Sequence, residues 1–128
     1  MKMDHIGIWV RDLDKMIKFY RDYFNVSAGN KYHNPVKKFT SCFVEFPSGG
    51  RIELMNNPDI TAVIRRNGQH TGYIHIAINV GSEAEVDRLA GKFRNDHFEI
   101  PDGPRRTGDG YYECVVLDPE GNRIELTA

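Results

Sequence analysis

Cysteine is scarce: Cys42 and Cys114 are the only two in 128 residues, which excludes the multi-bridge framework of a small secreted scaffold. Both stand in apolar runs and read as buried small hydrophobes. Surplus charge is missing as well. Lys and Arg total 17 and Asp and Glu 18, a formal net charge of -1, so there is no electrostatic footprint for nucleic acid. No apolar run approaches the ~20 residues of a membrane-spanning helix. The start, Met1-Lys-Met-Asp-His5, has no apolar leader segment. A cytoplasmic protein with neither nucleic-acid nor membrane partners is therefore expected. What remains is 40% hydrophobic and 27% charged, ordinary for a globular chain, and the length fits one domain or two small modules sharing a core.

The chain resembles itself. Asp4-His-Ile-Gly-Ile-Trp-Val10 is matched by Ile74-His-Ile-Ala-Ile-Asn-Val80. Cys42-Phe-Val-Glu-Phe-Pro-Ser-Gly-Gly-Arg-Ile-Glu-Leu54 is matched by Cys114-Val-Val-Leu-Asp-Pro-Glu-Gly-Asn-Arg-Ile-Glu-Leu126. His75 follows His5 by 70 residues and Glu125 follows Glu53 by 72. Segment order is the same in both halves, so a duplicated module is expected, about 1–58 and 72–128.

Each half opens on an alternating strand that puts His5, Gly7 and Trp9, or His75, Ala77 and Asn79, on the face opposite the isoleucines. The aliphatic faces are expected to bury against helices. Asp12 caps the first helix, whose stripe is Leu13, Met16, Ile17, Tyr20 and Phe24. Ser82 and Glu85 form a capping box before the second, with Val86, Leu89, Ala90 and Phe93. Pro47–Gly50 and Pro119–Asn122 supply hairpin turns. Strands are expected around Lys38–Phe46 and Gly110–Leu117, then at Arg51–Met55 and Arg123–Thr127. Residues 27–37 and 56–72 read as loops. The expected fold is α+β, a β-α-β-β-β module used twice.

The repeat brings His5 and His75 to equivalent positions, and Glu53 and Glu125 likewise. A carboxylate within a sheet is costly unless it is paired, hydrogen-bonded or bound to metal. Two imidazoles and two carboxylates suit divalent zinc, nickel, cobalt, iron or manganese, with room for water or substrate. Gly7 and Ala77 are small neighbours that leave space beside each imidazole. The competing structural reading is a pair of imidazolium–carboxylate salt bridges. His33, His70 and His97 have no equivalents in the other half and are left out of the site.

These residues make the chain resemble the glyoxalase, bleomycin-resistance and extradiol-dioxygenase superfamily, also called the vicinal oxygen chelate proteins. The resemblance lies in His5-Ile-Gly, Val10-Arg-Asp-Leu13, Phe19-Tyr20, Arg51-Ile-Glu-Leu54, His75-Ile-Ala, Asp118-Pro-Glu-Gly-Asn122 and Arg123-Ile-Glu-Leu126, and it covers nearly the whole length. It implies a half-open barrel of two modules around one divalent metal ion, with nickel or zinc foremost and cobalt, manganese or iron suited as well. The order His, Glu, His, Glu is similar to that of the lactoylglutathione lyases. This implies isomerisation of a hemithioacetal, formed from a 2-oxoaldehyde such as methylglyoxal and a thiol, to a 2-hydroxyacyl thioester. Glu125 would then be the base and Glu53 its counterpart across the metal.

The same resemblance implies a homodimer and a small-molecule substrate that includes a thiol. Asn57 corresponds to an asparagine that contacts glutathione in that family. Trp9 stands where glutathione-using members carry an arginine, so an ordinary glutathione cosubstrate is questioned. Arg105 and Arg106 are candidates for an anionic substrate group. The alternatives within the superfamily are a fosfomycin-type thiol transferase, an epimerase or a non-catalytic small-molecule binder.

Overall fold

The computed structural model describes residues 3–61 and 72–128. The chain divides into two compact units, Met1–Ile64 and Arg65–Ala128. In the first unit the elements are β1 (His5–Trp9), α1 (Leu13–Phe24), β2 (Ser27–Ala28), β3 (Tyr32–Asn34), β4 (Phe39–Glu45) and β5 (Arg51–Asn56). In the second they are β6 (Ile76–Asn79), α2 (Glu83–Asn95), β7 (Asp102–Arg106), β8 (Tyr112–Leu117) and β9 (Arg123–Thr127). The class is α+β, and the second unit is β-α-β-β-β as expected. The first is the same module with its second strand split into β2 and β3, both paired to β4.

Topology repeats down to register. In the first sheet β1 runs parallel to β5 and β5 antiparallel to β4; in the second β6 runs parallel to β9 and β9 antiparallel to β8. The outermost strands were not located in the sequence. Residues 27–37, read as loop, hold β2 and β3, and Arg105 and Arg106 lie within β7. These are sheet-edge strands that are short, polar or interrupted, so they lack the alternation that marks a half-buried strand. The interruptions correspond. Gly29 N–H still bonds Phe43 O (2.9 Å) between β2 and β3, and β7 shifts register between Asp102 and Arg105. Residues 62–71, which include His70 and part of the segment read as a second loop, lie outside the described residues.

Both helices form where their caps predict. Asp12 accepts the Lys15 N–H (2.9 Å) and Ser82 accepts the Glu85 N–H (3.2 Å). The reciprocal half of the expected capping box is replaced, because Arg88 takes the Glu85 carboxylate (2.8 Å from Nε). Each helix lies over strands other than its sheet's first: α1 on β4, β5 and β2, α2 chiefly on β8, with β7 and β9. Met16, Tyr20, Val44 and Leu54 are fully buried in the first unit, and Phe93, Val86, Val116 and Ile124 in the second. Ile6, Ile8, Ile76 and Ile78 are only half-buried, contrary to the expected burial against a helix, because the helices do not sit over β1 or β6. Cys42 and Cys114 are free and buried, and burial raises both thiols, Cys114 to about 11. That makes them inert core residues.

Candidate metal centre

Parallel pairing puts β1 beside β5 with Gly7 opposite Glu53, and β6 beside β9 with Ala77 opposite Glu125. Alternation turns Ile52, Leu54, Ile124 and Leu126 to the helix side, where they are buried. Glu53 and Glu125 therefore face away from the helices, beside the histidines. His5 Nε2 stands 3.6 Å from Glu53 Oε2, and His75 Nε2 stands 3.6 Å from Glu125 Oε2. Side-chain exposures also match, at 35% and 18% against 37% and 17%. The two units have built the same pair twice.

The spacing of each pair is longer than that of a hydrogen-bonded salt bridge. A charge-assisted N–H···O bond closes to about 2.7–2.9 Å, whereas both gaps are 3.6 Å. In the first unit His5 Nδ1 lies 2.8 Å from Asp4 Oδ1. A carboxylate only accepts, so Nδ1 donates to Asp4, and Nε2 is the ring nitrogen left facing Glu53. With the ring neutral, Nε2 would set a lone pair beside the carboxylate, a two-donor arrangement that suits a divalent cation. Two ligands about 2.1 Å from one ion stand roughly 3.0–3.4 Å apart at octahedral to tetrahedral angles, within a few tenths of an ångström of the observed gap. Each pair thus fits as two donors of a divalent site. Among the described residues no group of three or more His, Cys, Asp or Glu side chains is arranged to hold a metal ion, so each unit supplies a pair of donors.

Asp4 had not been singled out from the sequence, though its adjacency to His5 was visible there. Its carboxylate also receives Arg51. The His5 hydrogen bond, and then the Arg51 charge, hold it below the usual carboxylate range. The corresponding position in the second unit is Ile74, so His75 has no such neighbour before it.

The rows flanking the pairs diverge. Sheet register aligns Trp9, Met55, Ser41 and Tyr32 across β1, β5, β4 and β3. It aligns Asn79, Thr127, Glu113 and Arg105 across β6, β9, β8 and β7. Trp9 is 46% exposed and meets Phe39 edge-on at 6.0 Å between ring centroids. Phe39 meets Tyr32 at 6.2 Å, and the Phe43 ring stands edge-on to His5 at 5.1 Å. The first pair is therefore bordered by rings. A Cβ at Gly7 would come 2.7 Å from Met55 Cε; the second unit has Thr127 in the place of Met55 and Ala77 in the place of Gly7.

The other candidates from the sequence fall apart from one another. Asn57 donates to Lys37 O (3.2 Å) and accepts from Asp59 N (3.0 Å), so its amide holds the chain leaving β5. Arg105 shares the Glu125 face, bonded to Asp102 (2.7 and 2.9 Å) and 3.1 Å from Glu113. Arg106 turns to the helix side, where it meets Glu83, Gly110 O (3.1 Å) and the Tyr112 ring. Neither guanidinium stands as an uncompensated cation. Glu113 was not anticipated; burial, and then the Glu125 charge, push its carboxyl above the usual range. His33 forms part of β3, with Nδ1 2.9 Å from Thr40 Oγ1.

Paired β-α-β-β-β units, each with a His–Glu pair on its open sheet face, define a class of small-molecule proteins, and comparison with known proteins places this one within it. The family model described as the Glyoxalase/Bleomycin resistance protein/Dioxygenase superfamily matches residues 2–126. The chain belongs to that superfamily. It is similar to the lactoylglutathione lyase of Haemophilus influenzae, with 30% identity over 98% of this chain and 91% of that protein. The probable lactoylglutathione lyase of Vibrio cholerae is 32% identical over 95% of this chain and 86% of its own length. Among solved structures, the trypanothione-dependent glyoxalase I of Leishmania major is 30% identical with a TM-score of 0.77, covering 98% of this chain and 85% of that one.

Proposed function

We propose that the chain is a metal-dependent, glyoxalase-like lyase of the cytoplasm. It would convert the hemithioacetal of a 2-oxoaldehyde such as methylglyoxal and a thiol into a 2-hydroxyacyl thioester. The observation that carries this reading is the doubled His–Glu pair with its 3.6 Å gap in both units. In the proposal His5, Glu53, His75 and Glu125 together hold one divalent ion, nickel or zinc foremost, with cobalt, manganese and iron also suited to these donors. The set is completed within one chain or across the two chains of a homodimer. When bound, the ion supplies Lewis-acid stabilisation for negative charge developing on two neighbouring substrate oxygens.

The chain's own residues do the remaining work. Glu125 takes the proton from the carbon that bears the thiol and returns it to the neighbouring carbonyl carbon, so the reaction is an isomerisation with no atom gained or lost. Glu53 is its counterpart in the first unit. Asp4 fixes the His5 ring so that Nε2 presents its lone pair. Trp9 gives the first unit's side of the site an apolar wall with one N–H donor and no charge for a carboxylate. The test is a turnover assay with the metal-free protein reloaded with each metal in turn, using methylglyoxal with glutathione and with other thiols. The proposal expects activity to return with nickel or zinc. Inactivity with every metal and every thiol adduct would overturn it.

A further inference from the structure

The row Asn79, Thr127, Glu113 and Arg105 crosses all four strands of the second sheet. It lies two residues along β9 from Glu125, a span of ~6.8 Å, which is within reach of a short substrate tail. Thr127 is only 8% exposed, and its Oγ1 has no hydrogen-bond partner among the described residues. Packing alone would favour valine there, which has the same shape and no hydroxyl to satisfy. Directly opposite is Glu113, whose side chain is 13% exposed. Arg105 is committed to Asp102 and Glu113, so the row offers a hydroxyl and a carboxylate but no uncompensated positive charge.

We infer that this row is a subsite for a hydrogen-bond-donating tail of the substrate, a hydroxyl, amide or ammonium group, and that it disfavours a carboxylate tail. The inference rests on the metal-centred reading above. It accounts for the unpaired Thr127 hydroxyl, which the donor group would engage, and gives Glu113 a ligand to accept from. It also reverses the expectation that Arg105 meets an anion, because a guanidinium held between two carboxylates adds no net attraction for one.

The test uses hydroxamates, which chelate a metal through two vicinal oxygens. Acetohydroxamate is titrated calorimetrically into nickel-loaded protein beside β-alanine hydroxamate, 3-hydroxypropionohydroxamate and succinate monohydroxamate, which carry ammonium, hydroxyl and carboxylate tails on one two-carbon spacer. The ammonium and hydroxyl tails are expected to bind about tenfold more tightly than the carboxylate tail. Thr127→Val and Glu113→Gln are each expected to erase most of that difference. Equal affinity for all three tails, a preference for the carboxylate, or an unchanged preference in both variants would overturn the subsite and leave the metal centre standing. Failure of acetohydroxamate itself to bind would overturn the metal centre and the subsite together.

Discussion

In the first unit the sheet row beside the His–Glu pair reads Trp9, Met55, Ser41 and Tyr32; in the second the same row reads Asn79, Thr127, Glu113 and Arg105. One row is aromatic and apolar apart from a buried serine; the other is polar throughout. Farther along the same face, the histidines and glutamates match in distance and exposure. Duplication supplied two copies of one backbone, and in the proposed reading the copies agree at the ligands and differ in the rows that would orient a substrate. An asymmetric molecule such as a hemithioacetal needs unlike walls around a symmetric set of ligands.

The largest expected effect tests whether the base belongs to one unit. Glu125→Gln is nearly isosteric and should keep the fold while lowering turnover by about 10²–10⁴-fold, the usual contribution of a positioned general base. Glu53→Gln should cost less in kcat, and equal losses in steady-state kinetics would erase the assigned difference between the units. Next comes the interrupted edge strand. At Gly103, φ is +79° and a Cβ would lie 2.6 Å from Glu113 O; at Gly29 the nearest atom, Phe43 O, would be 3.8 Å away. Gly103→Ala should therefore cost about 2–4 kcal/mol of stability, and Gly29→Ala less than ~1 kcal/mol. Urea denaturation compares them, and similar midpoints would refute the contrast.

Trp9→Arg puts a cation on the aromatic row. It should raise kcat/KM for the methylglyoxal–glutathione adduct by roughly ten- to a hundredfold, the strength of one charge-assisted hydrogen bond. Efficient turnover by the unaltered protein with a low micromolar KM would contradict the role given to Trp9. The smallest effect concerns Asp4. Asp4→Asn should lower metal affinity about tenfold by loosening the His5 ring, whereas Ile74→Asn has no such bond to lose and should change it little. Competition with a chromogenic chelator reads both.

The repeat, both helices, the central strands and the placing of His5, Glu53, His75 and Glu125 on the face opposite the aliphatic residues were legible in the sequence because alternation, caps and turns recur about seventy residues apart. Edge strands were not. β2 and β3 have two and three residues, and β7 carries Gly103 and Pro104, tolerated because that strand lies at the sheet edge. Register was equally hidden, and without it Arg105 and Arg106 looked alike. Adjacent residues of a strand face opposite ways, so one reaches Glu113 on the site face and the other reaches Glu83 on the helix side. Glu113 and Thr127 became visible as neighbours only once β8 was paired with β9.

The central claim is that the two pairs act as one site. Calorimetric titration of nickel into metal-free protein tests it most directly, in the unaltered chain and in His5→Ala and His75→Ala. The account predicts one ion bound per chain, with tight binding lost in either variant. Two ions per chain, or a loss confined to one of the two variants, would contradict it.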